Sequence, residues 1–319
     1  MALTPTRARA GPTLERMSEP TRATLPESQP EFLNPVRIRA GFRLTFDVPF
    51  PTPMLFVVQP ADRLLPTGTR QRIVQQQALG EAQGIHTFTD QHGNTIWRAL
   101  APAGTFTLGH DLIAEITRNP DPILPDLPKT PVEALPDETI AYLLPSRYVD
   151  SDLISNDAWT RFGNIQGGWA TVQAISEFLY ASCRYGAGST SSTTASQALD
   201  SGRAVCRDFA HMGVAYCRAL NIPARYVCGY LPDIDIKPDP VPMDFHAWFE
   251  AFIDGQWRTF DARHNRPRAG RIIIAQGRDA SDVAFTTTFG NARLTSMTVW
   301  ADEAPDGMTL NDPPNPRVF

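Results

Sequence analysis

Apolar and polar residues alternate along "RIRAGFRLTFDV": Ile38, Ala40, Phe42, Leu44, Phe46 and Val48 are apolar, while Arg37, Arg39, Arg43, Thr45 and Asp47 between them are polar. A period of two is that of a strand with one face in a core and one in water. The style continues in "MLFVVQ" from Met54, in "IHTFTDQHGNTIWRAL" from Ile85, which turns at His92-Gly93-Asn94, and in "TFTLGHDLIAEIT" from Thr105. Together these segments predict an antiparallel β-sandwich over residues 35–118. Further on the period changes. Trp169, Val172, Ala174, Ile175, Phe178 and Leu179 recur at three- and four-residue steps, which predicts a helix from Gly168 to Cys183 with one buried face. A second helix is expected from Val205 to Leu220, ended by Asn221 and Pro223. Strands follow at "ARYVCGYL", "HAWFEAFI", "QWRTFDAR" and "RIIIAQG".

Between the two patterns lies "NPDPILPDLPKTPVEALP", whose prolines deny ladder donors and forbid regular helix, so Asn119 to Pro136 reads as extended chain. The expected organisation is a disordered tail over residues 1–34, the sandwich over 35–118, a Pro-rich linker over 119–150 and a mixed helix-and-strand domain over 151–319. The fold class is therefore α+β. A chain of 319 residues suits two domains. Its net charge of -5 argues against nucleic acid, which needs a surplus of clustered Arg and Lys. Cys183, Cys206, Cys217 and Cys228 contain no CxxC pair, so no metal site is expected. The opening residues lack the apolar run of a signal peptide, and no window is apolar enough for a membrane helix. The expectation is a cytoplasmic protein with free thiols and no membrane partner.

The chemistry centres on "SGRAVCRDFAHMGVAYCRAL", in which Cys206 opens the second predicted helix. Unpaired N–H groups and the positive dipole end at a helix start favour thiolate over thiol, which makes Cys206 a candidate nucleophile. The plainer alternative is packing, since free cysteine is among the most buried residue types. Downstream, Asp254-Gly255 separates two β-rich runs and predicts a two-residue hairpin turn. If that turn closes on Ile253 and Gln256, His246 lies opposite Arg263, and Asp261 lies two positions along on the same face. Diagonal neighbours sit roughly 7–8 Å apart at the backbone, a gap that His and Asp side chains can close. The register thus predicts a His246–Asp261 couple able to orient a base toward a nucleophile.

Competing groups fall away on geometry. His211 lies about 140° round the helix from Cys206, and Cys217 about 16 Å along its axis. His264 falls on the opposite strand face from Asp261 if the strand continues that far, which makes it a second-best base. Cys183, Cys217 and Cys228 read as core residues, and His86, His92 and His110 as serving turns or strand surfaces in the first domain. Asp208 is expected in an ion pair at the helix start, with Arg207 adding positive potential near the thiol. An oxyanion would be held partly by the Cys206 N–H, with Gln166 or Trp169 as candidates for the second donor.

These segments resemble a known family. "GRAVCRDFAHMGVAYCRALNIPARYVCGYLP", "DFHAWFEAF" and "WRTFDARHN", with "YLLPSRY" and "GRDASDVAF", look like the bacterial transglutaminase-like superfamily, and the similarity extends over nearly everything after residue 35. The resemblance implies a papain-like transglutaminase core behind an N-terminal β-sandwich. It maps the family's nucleophile onto Cys206, its histidine onto His246 and its aspartate onto Asp261. The expected activity is thiol-dependent acyl transfer through a thioester, chiefly hydrolytic, on a peptide, a protein or a small amide, with no metal or organic cofactor. The alternative is a non-catalytic scaffold that binds a peptide or protein. Oligomeric state, acyl donor and acyl acceptor stay open.

Overall fold

In the computed structural model, which describes residues 34–314 except 67, 69, 83, 84, 239 and 240, the elements run in one chain order. First come β1 (Pro35–Val48), β2 (Thr52–Gln59), β3 (Arg63–Leu64), β4 (Arg70–Gly80), β5 (His86–Thr89), β6 (Thr95–Ala101) and β7 (Gly104–Thr117). Then follow α1 (Ser155–Phe162), α2 (Gly168–Ser182), β8 (Arg184–Tyr185), α3 (Ala195–Ser201), β9 (Arg203–Ala204), α4 (Cys206–Ala219) and β10 (Ala224–Tyr230). The last are β11 (His246–Ile253), β12 (Gln256–Phe260), β13 (Ile272–Gly277), β14 (Thr287–Thr288) and β15 (Arg293–Glu303). The tail expected over residues 1–34 lies outside the described residues, Asn34 excepted. Among the described residues, no helix is long and apolar enough to cross a membrane.

The alternating segments build two antiparallel sheets, ordered β15-β1-β7-β4-β3 and β14-β2-β6-β5. Their inner faces meet through Phe46 and Phe56, 6.0 Å between ring centroids, and through Phe56 and Phe106 at 6.5 Å. This is the sandwich, but it is not made from residues 35–118 alone. β15 pairs with β1 from Ile38–Glu303 to Asp47–Arg293, and β14 pairs with β2. The expected boundary that gave 151–319 wholly to the second domain therefore departs from the structure: the chain returns to complete the first. No local pattern announces this, because the partner strand lies some 250 residues away.

The same return changes β1. One face was expected in water, yet Arg39 is buried, ion-paired to Asp111 of β7 at 2.6 Å. Trp300 of β15 donates from Nε1 to Asp111 at 3.1 Å and lies so close over Gly41 that a Cβ there would meet its ring at 2.4 Å. The middle of β1 is covered on both faces.

Residues 119–150 also hold more than an extended linker. Short 3-10 turns span Val132–Ala134 and Asp137–Leu143, and Lys129 Nζ donates to the Leu220 carbonyl that ends α4. Asp121 exchanges bonds with Arg268 in both directions, taking its N–H on Oδ2 and giving its own N–H to the Arg268 carbonyl.

Of the other two sheets, β8 and β9 form a short parallel pair, and β12-β11-β10-β13 is antiparallel, with α4 lying across it. Helix and sheet approach closely at Gly213, where a Cβ would meet the Phe249 ring at 2.4 Å. At the β13 edge, free backbone groups are satisfied by amide side chains from the sandwich. Gln71 bonds both the N–H and the C=O of Ile273, and Asn94 does the same for Gln276. Such caps block strand addition at an open edge and tie the two sheet systems together.

Candidate active site

Cys206 is the first residue of α4, and it is partly exposed, whereas Cys183, Cys217 and Cys228 are buried. The helix start is locked from below. Asp208, fully buried, accepts the Val205 N–H at 2.9 Å, and the Val205 carbonyl accepts the Asp208 N–H at 2.9 Å, which satisfies groups an α-helix leaves open at its N-terminus. Arg207 pairs with Asp208 at 2.8 Å, as expected of an ion pair at this end. Its guanidinium also bonds Ser189 Oγ at 2.7 Å and the Thr190 carbonyl at 2.6 Å. Its charge is thus spent on Asp208 and on the Ser/Thr-rich loop, which orders that loop beside the helix start.

The hairpin turns at Asp254 and Gly255 with φ of 50° and 71°, the left-handed geometry such a turn requires. Its ladder runs from Ile253–Gln256 to Phe249–Phe260, the register read from the sequence. One step past the end of β12 and at the first residue of β11, His246 Nε2 and Asp261 Oδ2 stand 2.8 Å apart, both buried. Nε2 is committed to the carboxylate, which leaves Nδ1 as the ring atom available to the thiol, and Cys206 lines the same cleft as His246. Burial disfavours a charged ring here. The Asp261 carboxylate, its hydrogen bond and the Cys206 sulfur together outweigh burial and hold His246 above its ordinary value. Asp261 is likewise pushed up by burial but pulled down further by His246 and then Arg271, so it stays well below the usual carboxylate range.

Cys206 and His246 open on a cleft of about 370 Å³, whose walls include Tyr185, Asp244, His264 and Met297. Met297 belongs to β15, so the strand that completes the sandwich also reaches the cleft. His264 corrects a strand-based expectation. The strand stops at Phe260, and the chain folds back to bring the His264 ring within 5.1 Å of His246. Burial holds it neutral, with a pKa of about 3. His246, Asp261 and His264 bring ligand-type atoms within 4.8 Å of one another. Both Asp261 oxygens are already engaged, Oδ1 by the N–H groups of Arg263 and His264 and Oδ2 by His246 and Arg271, so a cation would have to displace bonds already made.

Other expected groups sit elsewhere. His211 is buried, accepts the Ala280 N–H at 3.1 Å and stacks on Tyr148, a structural role. Trp169 packs on Phe260 at 4.6 Å and lines a separate cavity behind Asp261, and Gln166 does not border the cleft, so neither stands where a second oxyanion donor is needed. Reading the sequence missed Arg271, Met297, Tyr185 and Asp244. Of these only Asp244 carried a signal, its place two residues before His246; the rest arrive from segments that approach only through the tertiary fold.

A helix with a thiol at its first residue, laid on an antiparallel sheet whose hairpin presents an imidazole–carboxylate couple, is the papain-like arrangement of an α+β core. A family model described as the transglutaminase-like superfamily matches residues 160–262, which include Cys206, His246 and Asp261. A crystal structure from Cytophaga hutchinsonii, of a protein provisionally described as a cysteine protease, superposes with a TM-score of 0.75 at 33% identity, covering 87% of this chain and 93% of that one. An uncharacterised Mycobacterium leprae protein is 38% identical over 89 residues, 27% of this chain and 32% of the relative. One from Mycobacterium tuberculosis is 31% identical over 127 residues, 35% of this chain and 39% of the relative. The matched stretch thus spans about a third to two fifths of these curated relatives. The chain belongs to the transglutaminase-like superfamily.

Proposed function

We propose that the protein is a cysteine peptidase or amidase that cleaves a peptide or carboxamide bond through a thioester. The observation that carries this reading is that Cys206 and His246 line one cleft while Asp261 stands behind the imidazole, 2.8 Å from Nε2, which leaves the other ring nitrogen for the sulfur.

The Cys206 thiolate attacks the carbonyl carbon, and the resulting oxyanion is met by the Cys206 N–H, one of the unpaired donors of the first turn of α4. As the C–N bond breaks, His246 gives its proton to the departing amine. Water then attacks the thioester, His246 takes up its proton, and the carboxylic acid leaves as the C–S bond breaks and the thiolate is restored. Asp261 keeps the ring in the tautomer that presents Nδ1 to the sulfur throughout. The partner is therefore a peptide, a protein or a small amide, and a reducing compartment such as the cytoplasm would keep the sulfur active.

The test uses iodoacetamide and Cys206→Ala. Burial raises the competing thiols, Cys228 to about 12 and Cys217 further, so alkylation at neutral pH should fall on Cys206 alone. Cys206→Ala should fold and lose at least about a thousandfold in turnover on any peptide or amide library member that the wild type cleaves. Labelling at Cys183, Cys217 or Cys228 with Cys206 silent would remove the nucleophile from this account. Unchanged cleavage by Cys206→Ala would do the same.

A further inference from the structure

Behind the carboxylate of the couple stands a second layer of charge. Arg271, just ahead of β13, is buried, and its Nη2 donates to Asp261 Oδ2 at 3.3 Å. Its Nε donates to both oxygens of Asp121, at 3.3 and 3.0 Å, and its plane lies 4.9 Å over the Trp248 ring. Trp248 in turn stacks beside His246, 6.2 Å between centroids. One guanidinium is therefore shared between the carboxylate that orients the imidazole and a carboxylate from the linker, and the ring it rests on also borders the imidazole. A buried guanidinium tied at two carboxylates and one indole face has one available orientation.

We propose that Arg271 is a positioning residue for the His246–Asp261 couple and that Asp121 sets how much of its charge reaches that couple. The proposal rests on the catalytic reading for its importance but not for its electrostatics. Along the line Asp121, Arg271, Asp261, His246, signs alternate. Arg271 pins the Oδ2 oxygen that His246 needs and offsets part of its negative charge, so the imidazole is held without being bound too firmly to its proton. Asp121, itself fixed to Arg268 on the same loop, draws off some of that positive charge. The other charged or titratable groups facing the couple include Cys206 from α4, Asp244 before β11, and Arg263, His264 and Arg268 after β12.

Two substitutions that remove opposite charges from one line must move the imidazole in opposite directions, which a general loosening of the fold would not do. The His246 ring titration is followed by NMR of histidine-labelled full-length protein, with His246→Gln to assign the signal. Arg271→Met should raise the His246 midpoint by about one unit, and Asp121→Asn should lower it by about half a unit. Arg271→Lys, a point charge that reaches one carboxylate well but not two, should fall between wild type and Arg271→Met. On a substrate that the wild type cleaves, Arg271→Met should lower kcat about tenfold with KM within twofold. Shifts of the same sign in Arg271→Met and Asp121→Asn, or none in either, would overturn the proposal. Should Arg271→Met not fold, the Asp121→Asn and Arg271→Lys titrations decide alone. Opposite shifts in a protein without turnover would leave Arg271 its role and sink the catalytic reading instead.

Discussion

At the scale of single residues, the site depends on side chains that need room or company. Gly213 is the clearest case of room. α4 can lie close enough to β11 to set its first residue beside His246 because nothing projects from Gly213 toward Phe249. Gly213→Val should cost about 1–3 kcal/mol in urea unfolding through overpacking, and should reduce activity in the surviving fold by displacing the helix. Unfolding at wild-type midpoints would show that helix and sheet have slack there. Asp111 is the case of company. Arg39 and Trp300 both donate to it in a buried setting, so Asp111→Ala should destabilise by about 3–5 kcal/mol, because the guanidinium is left without its counter-charge. Asp208 shows a local rule at work: a carboxylate at the third position of a helix whose first residue is the Cys206 thiol was visible in the sequence, and the structure makes it a cap.

Elements obeyed the sequence where their partners are close and departed from it where partners are distant. α2, α4 and the β11–β12 hairpin follow from period, punctuation and an Asp-Gly turn, and the hairpin register alone brings His246 to Asp261. β15 is different. Its first six residues are exposed, so its pattern lacks a buried stripe, and what makes it a strand is the free edge of β1. A chain ending before residue 293 should lose the Trp300 cover of Gly41 and one wall of the cleft at Met297. We expect such a truncation to melt at least about 10 °C below the full chain, as removing a central aromatic alone costs about 3–5 kcal/mol. An unchanged melting temperature would mean that β15 is an ornament on the sandwich rather than part of it.

For the whole molecule, buried imidazoles decide the response to acid. Burial lowers His110 and His211 from 6.5 to about 4, and His264 to about 3, in the folded state. Between pH 6.5 and 4 the unfolded chain takes up protons that these rings refuse when folded, so their contribution is full above 6.5 and is lost as pH falls. His246, held above its ordinary value, has the opposite sign: it favours the fold below 6.5, and that help fades as pH rises through its folded value. Three lowered rings against one raised one leave a net loss, about 2 kcal/mol per lowered ring by pH 5. Urea midpoints should therefore fall between pH 7 and pH 5, and a flat or rising curve would show that those rings are not buried neutral. Taken by itself, the sequence determined what short-range physics controls: the alternating strands, the two amphipathic helices, the thiol at a helix start and the turn whose register pairs an imidazole with a carboxylate. Only the tertiary structure decided that the last strands return to the first sheet, that β1 is covered on both faces, and that Arg271 and Asp121 meet behind Asp261. Those contacts join segments separated by ten to more than two hundred residues, and no local pattern encodes a partner whose identity depends on how the intervening chain packs.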